Sequence, residues 1–356
     1  MKDLKKILTI PGNGVFTVHT AQEKKEKLFK AYYNTPKLEG AQSKWEDSLD
    51  KLDDKKPFLL GIPSDCGGGI QRGANWGPLL LRQEILKNKK SFHDIGDVRV
   101  VPHLLHDKYL NDETIKNCQK ALYGRANKLP VSPLSITEKA TADIYRKIPN
   151  ARILGLGGDH SISFPLTKTW LESRKNKKKA AIVHFDAHTD LLNTRLGIDF
   201  CFGTWTNQIL KYLSSTDHII QLGIRSSGKN KKHWKDTLGV EQIWANEFNK
   251  WGVEKVFNKI KKQFNTLGVE EIYISFDIDA LDELYASATG TPEKNGLIPS
   301  DCITLIHLLK KEFKVTGADL MEVAPFVLPE GVNPRDQKAA LGVAGEVTAS
   351  LIEVLS

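Results

Sequence analysis

From residue 57 onward, short unbroken apolar runs alternate with amphipathic stretches. Six runs read as strands: residues 58–63 (FLLGIP), 152–157 (RILGLG), 180–186 (AAIVHFD), 219–224 (IIQLGI), 271–279 (EIYISFDID) and 316–323 (TGADLMEV). Their apolar positions are continuous rather than alternating, as in strands covered on both faces of a parallel sheet. Helical spacing occupies 163–175, 203–215, 253–264 and 300–313, and a small-residue-rich closing helix spans 336–355. Strand alternating with helix predicts an α/β fold: a doubly wound, mostly parallel sheet flanked by helices.

Residues 1–55 differ. They are charged, with helical spacing around Leu28, Tyr32 and Trp45. This predicts an N-terminal helical extension packed on one α/β domain over 56–356, since no internal repeat or low-complexity linker divides the rest. The chain is 40% hydrophobic and 26% charged, which excludes a disordered protein. No apolar run approaches the ~18 residues of a membrane span, and the apolar stretch after the basic start is too short for a secretory signal. Cys66, Cys118, Cys201 and Cys302 form no CxxC pair. That usage fits reduced thiols in the cytoplasm. The net charge of +8 raises the question of nucleic acid. The lysines instead cluster in short runs, at 174–179 and 229–235 for example, without aromatic interleaving or zinc-finger spacing, so they read as a solvated surface. The glycines at 67–69 lack the Lys-Ser/Thr that completes a phosphate-binding loop.

The chemistry gathers just after three predicted strands, where open α/β sheets bind ligands. Gly157-Gly158-Asp159-His160-Ser161 follows the second run, Asp186-Ala187-His188-Thr189-Asp190 the third, and Asp277-Ile278-Asp279-Ala280-Leu281-Asp282 the fifth. A single aspartate at such a place is ordinarily a turn or cap residue. Together they are different. Residues two apart on extended chain share a side, so Asp186, His188 and Asp190 converge. So many carboxylates would repel one another without a cation. Four carboxylates and two imidazoles suit a pair of oxygen-preferring ions, and Mn²⁺ fits that set. Two such ions ~3.5–4 Å apart hold a bridging water and lower its pKa toward neutrality. His184, inside the strand, reads as a packed histidine behind these ligands.

GGDHSISFP, FDAHTDL, SFDIDALD…TGTP and LMEVAP at 320–325 occur in that order. They resemble the motifs of the ureohydrolase family of arginases, agmatinases and formimidoylglutamases, over roughly residues 57–356. The resemblance implies a hydrolase of carbon–nitrogen bonds in linear amidines with a binuclear manganese site. His160, Asp186, Asp190 and Asp277 would hold one ion, and Asp186, His188, Asp277 and Asp279 the other. Asp190 would accept a hydrogen bond from the metal-bridging hydroxide, and Glu322 would pair with the substrate's guanidinium, these two being the catalytic residues. Thr291 would stand beside the substrate, and Asp282 would steady its neighbours' geometry. Hydroxide attack on a guanidino compound gives urea and an amine, and on a formimino compound formamide and an amine. The family also implies a homo-oligomer, trimer or hexamer, acting on a small molecule, with no nucleic-acid or membrane partner.

Two departures leave the substrate open between agmatinase-like and formimidoylglutamase-like. Where arginases and agmatinases carry His-Gly, this chain has Phe202-Gly203, and no histidine lies between His188 and His218. Where arginases carry an aspartate for an α-amino group, the stretch is LGIRSSGKNKKHW. Arg195 or Arg225 would hold an acidic substrate's carboxylates or serve the structure. Arg72, Asn75 and Trp76 lie in a stretch similar to an agmatinase entry loop and would shape a pocket or a loop-to-helix turn. Phe202 and the extension motivate one alternative, a catalytically silent binding or regulatory module of this fold. A metal-dependent deacetylase is the other.

Overall fold

The computed structural model describes residues 4–15, 19–66, 71–86, 91–101, 103–326 and 335–356. Among these residues nine strands form one sheet: β1 (Leu8–Thr9), β2 (Phe58–Ile62), β3 (His93–Val98), β4 (Ile153–Gly157), β5 (Ala180–Phe185), β6 (Ile219–Ile224), β7 (Glu241–Trp244), β8 (Glu271–Asp277) and β9 (Lys314–Met321). Their order is β1-β3-β2-β4-β9-β8-β5-β6-β7, all pairs parallel except β1 with β3. Among the described residues thirteen α-helices surround it. The first are α1 (Leu4–Ile7), α2 (Gln22–Tyr33), α3 (Leu38–Leu49), α4 (Gly77–Ile85), α5 (Asp112–Tyr123), α6 (Pro133–Lys147) and α7 (Ser163–Ser173). The rest are α8 (Trp205–Leu210), α9 (Lys231–Leu238), α10 (Ala245–Trp251), α11 (Val253–Thr266), α12 (Pro299–Glu312) and α13 (Arg335–Leu355).

Continuous apolar strands make sense because the sheet is covered on both faces. Alternate residues of β2 go opposite ways: Leu59 joins a cluster with Leu81 of α4, Phe264 of α11, Leu305 of α12 and Leu351 of α13. Phe58 and Leu60 join a second cluster with Ile144 of α6, Trp170 of α7 and Trp205 of α8. Leu4, Phe29, Trp45 and Leu49, all N-terminal to residue 56, belong to that second cluster. The N-terminal segment therefore supplies both a strand and part of the core.

All six expected strands are present. Three others carry no apolar run that would mark them. β1 is two residues long and β7 is a four-residue edge strand. β3 reads HDIGDV because its aspartates are neutralised inside the protein: the fully buried Arg82 donates to Asp94 Oδ2 (2.7 Å) and Asp97 Oδ1 (2.5 Å). A buried pair satisfied this way survives where a lone charge would not. Among the described residues no helix is long and apolar enough to cross a membrane, and all four cysteines are free thiols.

Candidate active site

The register of the central strands draws the separated motifs together. Phe185 pairs with Phe276, Asp277 with Met321 and Leu156 with Leu320. β5, β8, β9 and β4 therefore end level and release their next residues into one crevice. Chain order jumps here, from β4 to β5 across two later strands, which is the switch point where such sheets bind ligands. His160 opens a turn after β4, Asp186, His188 and Asp190 follow β5, Asp277 closes β8 with Asp279 in the next turn, and Glu322 follows β9. Asp159 caps the His160 turn, accepting from Ser161 N–H at 3.0 Å.

Gly158 permits this convergence. A Cβ there would lie 1.9 Å from the Ser64 carbonyl oxygen, so no other residue fits the crossing of the two strand exits. The Gly158 carbonyl accepts the Glu322 N–H at 2.9 Å, and Glu322 Oε1 accepts the His160 N–H at 2.8 Å. Asp190 (φ 51°) and Glu322 (φ 61°) are both left-handed. For residues other than glycine this costs about 1–3 kcal/mol each, and such strain concentrates at functional sites.

His160 Nδ1 lies 2.9 Å from Asp277 Oδ2, 3.2 Å from Asp186 Oδ2 and 3.5 Å from Asp190 Oδ2. His188 Nδ1 lies 3.1 Å from Asp279 Oδ2 and 3.5 Å from Asp186 Oδ1. Asp186 thus faces both imidazoles. It also belongs to both groups of donors compact enough for an ion, one with His160 and His184 and one with His188 and Asp279. Asp279 is fixed from two sides, accepting from Ala187 N–H (3.1 Å) and from the Thr291 hydroxyl (2.7 Å).

Hydrogen bonds behind the cluster fix which ring nitrogens carry protons. Ser275 Oγ donates to the buried Asp319 Oδ1 at 2.8 Å. Its single proton is spent there, so it accepts from His160 Nε2 at 3.1 Å. His160 Nδ1 is left facing three carboxylates, and this buried atom has no hydrogen-bond partner. At His184 an amide nitrogen, Gln221 Nε2, can only donate, and it meets Nδ1 at 3.0 Å. His184 Nε2–H therefore donates to Asp186 Oδ2 at 2.9 Å.

The charges are unbalanced without a cation. Burial and the neighbouring Asp186 push the Asp190 carboxyl well above its usual range, and burial with Asp279 and Asp186 does the same to Asp277. Burial, Asp277 and Asp159 raise Glu322. Burial opposes charge on both Asp186 and His160. The three imidazoles nonetheless hold Asp186 well below the carboxylate range, and Asp186 and Asp277 hold His160 well above the imidazole range. An imidazole nitrogen without a hydrogen-bond partner, facing crowded carboxylates, fits a divalent ion that would take the place of its proton.

Other sequence-predicted residues stand apart. Asp282 reaches no member of the cluster. Its oxygens accept from Leu284 N–H (3.0 Å) and Gly296 N–H (2.9 Å), so it ties the loop that carries Thr291. Arg225 spends its guanidinium on backbone carbonyls of Gly223, Asp279, Ala280, Leu281, Glu293 and Lys294, and is unavailable to a substrate. Arg72, Asn75 and Trp76 do not line the cavity. The glycines at 67–69 lie outside the described residues. Sequence reasoning missed Ser275, Asp319 and Gln221, whose only signal is a polar residue inside an apolar strand. It also missed Glu293, 3.6 Å from His188 Nε2.

A cavity of about 480 Å³ opens onto the cluster. His160, His188, Asp190, Asp277, Asp279, Thr291 and Glu322 form its acidic floor, and Leu192, Arg195, Phe202, Gly203, Ser226, Lys229, His233 and Trp234 are among the residues around it. That volume holds a small metabolite.

Residues 55–349 match the arginase family model. The chain is 31% identical to mitochondrial agmatinase of Gallus gallus, over 75% of this chain and 73% of that protein. It is 29% identical to mitochondrial guanidino acid hydrolase of Homo sapiens, over 75% and 71%. The proclavaminate amidino hydrolase of Streptomyces clavuligerus shares the fold, with a TM-score of 0.66 at 22% identity over 85% of this chain and 93% of that one. A silent module and a deacetylase find no support among these relatives. The chain belongs to the arginase family and is a hydrolase of carbon–nitrogen bonds in linear amidines.

Proposed function

We propose that two Mn²⁺ ions bind at this cluster and that the protein hydrolyses a small amidino compound, guanidino or formimino. His160, Asp186, Asp190 and Asp277 would hold one ion, and Asp186, His188, Asp277 and Asp279 the other. The observation that carries the reading is His160 Nδ1, buried and unpartnered among three carboxylates. When bound, the metal pair lowers the pKa of water and so supplies hydroxide at neutral pH.

The protein's own groups do the rest. Glu322 Oε1 is anchored by His160 N–H, which leaves Oε2 to pair with the planar amidinium head. Thr291, tied to Asp279, closes the floor beside that head. Asp190 takes the proton released as water adds to the amidino carbon and passes it to the departing nitrogen. The carbon–nitrogen bond then breaks to give an amine with urea or formamide. Phe202 lies in the cavity wall and carries no proton, so Asp190 serves both transfers.

The test is a panel of arginine, agmatine, 4-guanidinobutyrate, 3-guanidinopropionate and formimidoylglutamate with manganese-loaded protein, scored for urea and formamide. Turnover of one or more is expected, and inertness toward all of them with metal bound would refute the reading. Assembly as a trimer or hexamer and residence in the cytoplasm belong to the same proposal, the former checked by light scattering.

A further inference from the structure

The floor of the cavity is acidic, but its surround carries two cations that no carboxylate of the described residues pairs with. Arg195 stands at the tip of a hairpin, its backbone paired both ways with Ile198 (2.8 and 2.9 Å) across a two-residue turn with Leu196 at φ 53° and Gly197 at φ 83°. Its guanidinium carbon lies 4.8 Å from the centroid of the Phe202 ring, which steers it. The loop is moored by Tyr109, whose hydroxyl accepts from Asp199 N–H (3.2 Å) and Phe200 N–H (2.9 Å). Lys229 is carried by a second loop. Ser227 holds it there, donating to the Lys229 carbonyl (2.7 Å) and accepting from Trp234 Nε1–H (3.0 Å).

Nearby cations behave differently. Lys108, Lys231, Lys232 and Lys235 all pair with carboxylates, namely Asp199, Glu247, Asp236 and Asp217. Among the described residues no carboxylate pairs with Arg195 or Lys229, and both line the cavity. Two positive groups held on anchored loops beside one small cavity disfavour a cationic ligand end and attract an anionic one. We propose that Arg195 and Lys229 read the far end of the substrate, and that this end is a carboxylate. The substrate is then an amidino acid rather than an amidino amine. The inference rests on the amidino-hydrolase reading for the other end of the same molecule.

The experiment uses manganese-loaded protein and three guanidino compounds of similar length that differ at the far end: 4-guanidinobutyrate (carboxylate), 1-butylguanidine (uncharged methyl) and agmatine (ammonium). The acid is expected to have the highest kcat/KM. In Arg195→Gln and Lys229→Gln its advantage over 1-butylguanidine is expected to fall about 10- to 100-fold, the loss typical of a charged hydrogen bond. Lys229→Glu should shift preference toward agmatine. Binding of 4-aminobutyrate and 1,4-diaminobutane, which cannot be turned over, is read separately by calorimetry. Tighter binding of the acid, weakened in both glutamine variants, supports the inference even if no compound is hydrolysed, in which case only the amidino-hydrolase reading fails. Preference for agmatine or the diamine, or an acid preference that both variants retain, overturns the inference and leaves that reading intact.

Discussion

Gln221 offers the sharpest test of the hydrogen bonds behind the metal ligands. This fully buried amide donates to His184 Nδ1 (3.0 Å) and to the Thr189 carbonyl (2.7 Å), and accepts from Gln242 Nε2 (2.8 Å). Gln221→Leu keeps the volume and orphans three buried polar groups. Each costs about 1–3 kcal/mol, and about 1 kcal/mol returns as added apolar burial, so a net loss of about 2–8 kcal/mol is expected. The second effect is specific. With only the long Thr206 hydroxyl contact (3.5 Å) left at Nδ1, the His184 proton is less firmly fixed on Nε2, and the bond that orients Asp186 Oδ2 weakens. Loss of such a supporting bond costs about 10–100-fold in metal affinity. Denaturant titration of the chelated protein reads the first effect, and chelator competition for Mn²⁺ the second. Gln242→Leu is the control: it removes the bonds to Gln221 Oε1 and Trp244 Nε1 but leaves His184 tethered. It should lower stability with little change in metal affinity. Equal affinity losses in the two variants would refute the reasoning.

Gly158→Ala would place a methyl 1.9 Å from the Ser64 carbonyl, a backbone atom with nowhere to go. Loss of folded protein or of Mn²⁺ binding is expected, and a stable variant with undiminished metal affinity would show that the exit turn is soft. In the chelated protein the ligands Asp190, Asp277 and His160 are all raised, so an incoming ion must compete with protons there. Mn²⁺ binding should release protons and tighten as pH rises, as calorimetry in buffers of different ionisation enthalpy would show; proton uptake would contradict it. Trp45→Ala, at a fully buried position, should cost about 3–5 kcal/mol in a denaturant melt. A loss below about 1 kcal/mol would mean that the N-terminal helices contribute little to the core.

The sequence by itself determined the central strands and the motifs that follow them. A strand buried on both faces must be apolar throughout, so β2, β4, β5, β6, β8 and β9 show as runs. Carboxylates and histidines directly after such runs are conspicuous, so His160, Asp186, His188, Asp190, Asp277 and Asp279 were legible. β3 was not, because Arg82, distant in the chain, neutralises its aspartates. Only the tertiary structure decided the rest. Register set β4, β9, β8 and β5 level, and the partners of Ser275 and Gln221 chose the proton positions on His160 and His184. Arg195 and Arg225 look alike in sequence. Arg225 is consumed by six backbone carbonyls, and Arg195 stands at the cavity without an anionic partner among the described residues. What a charged side chain can do depends on which donors and acceptors surround it, and those are brought there by segments far away in the chain.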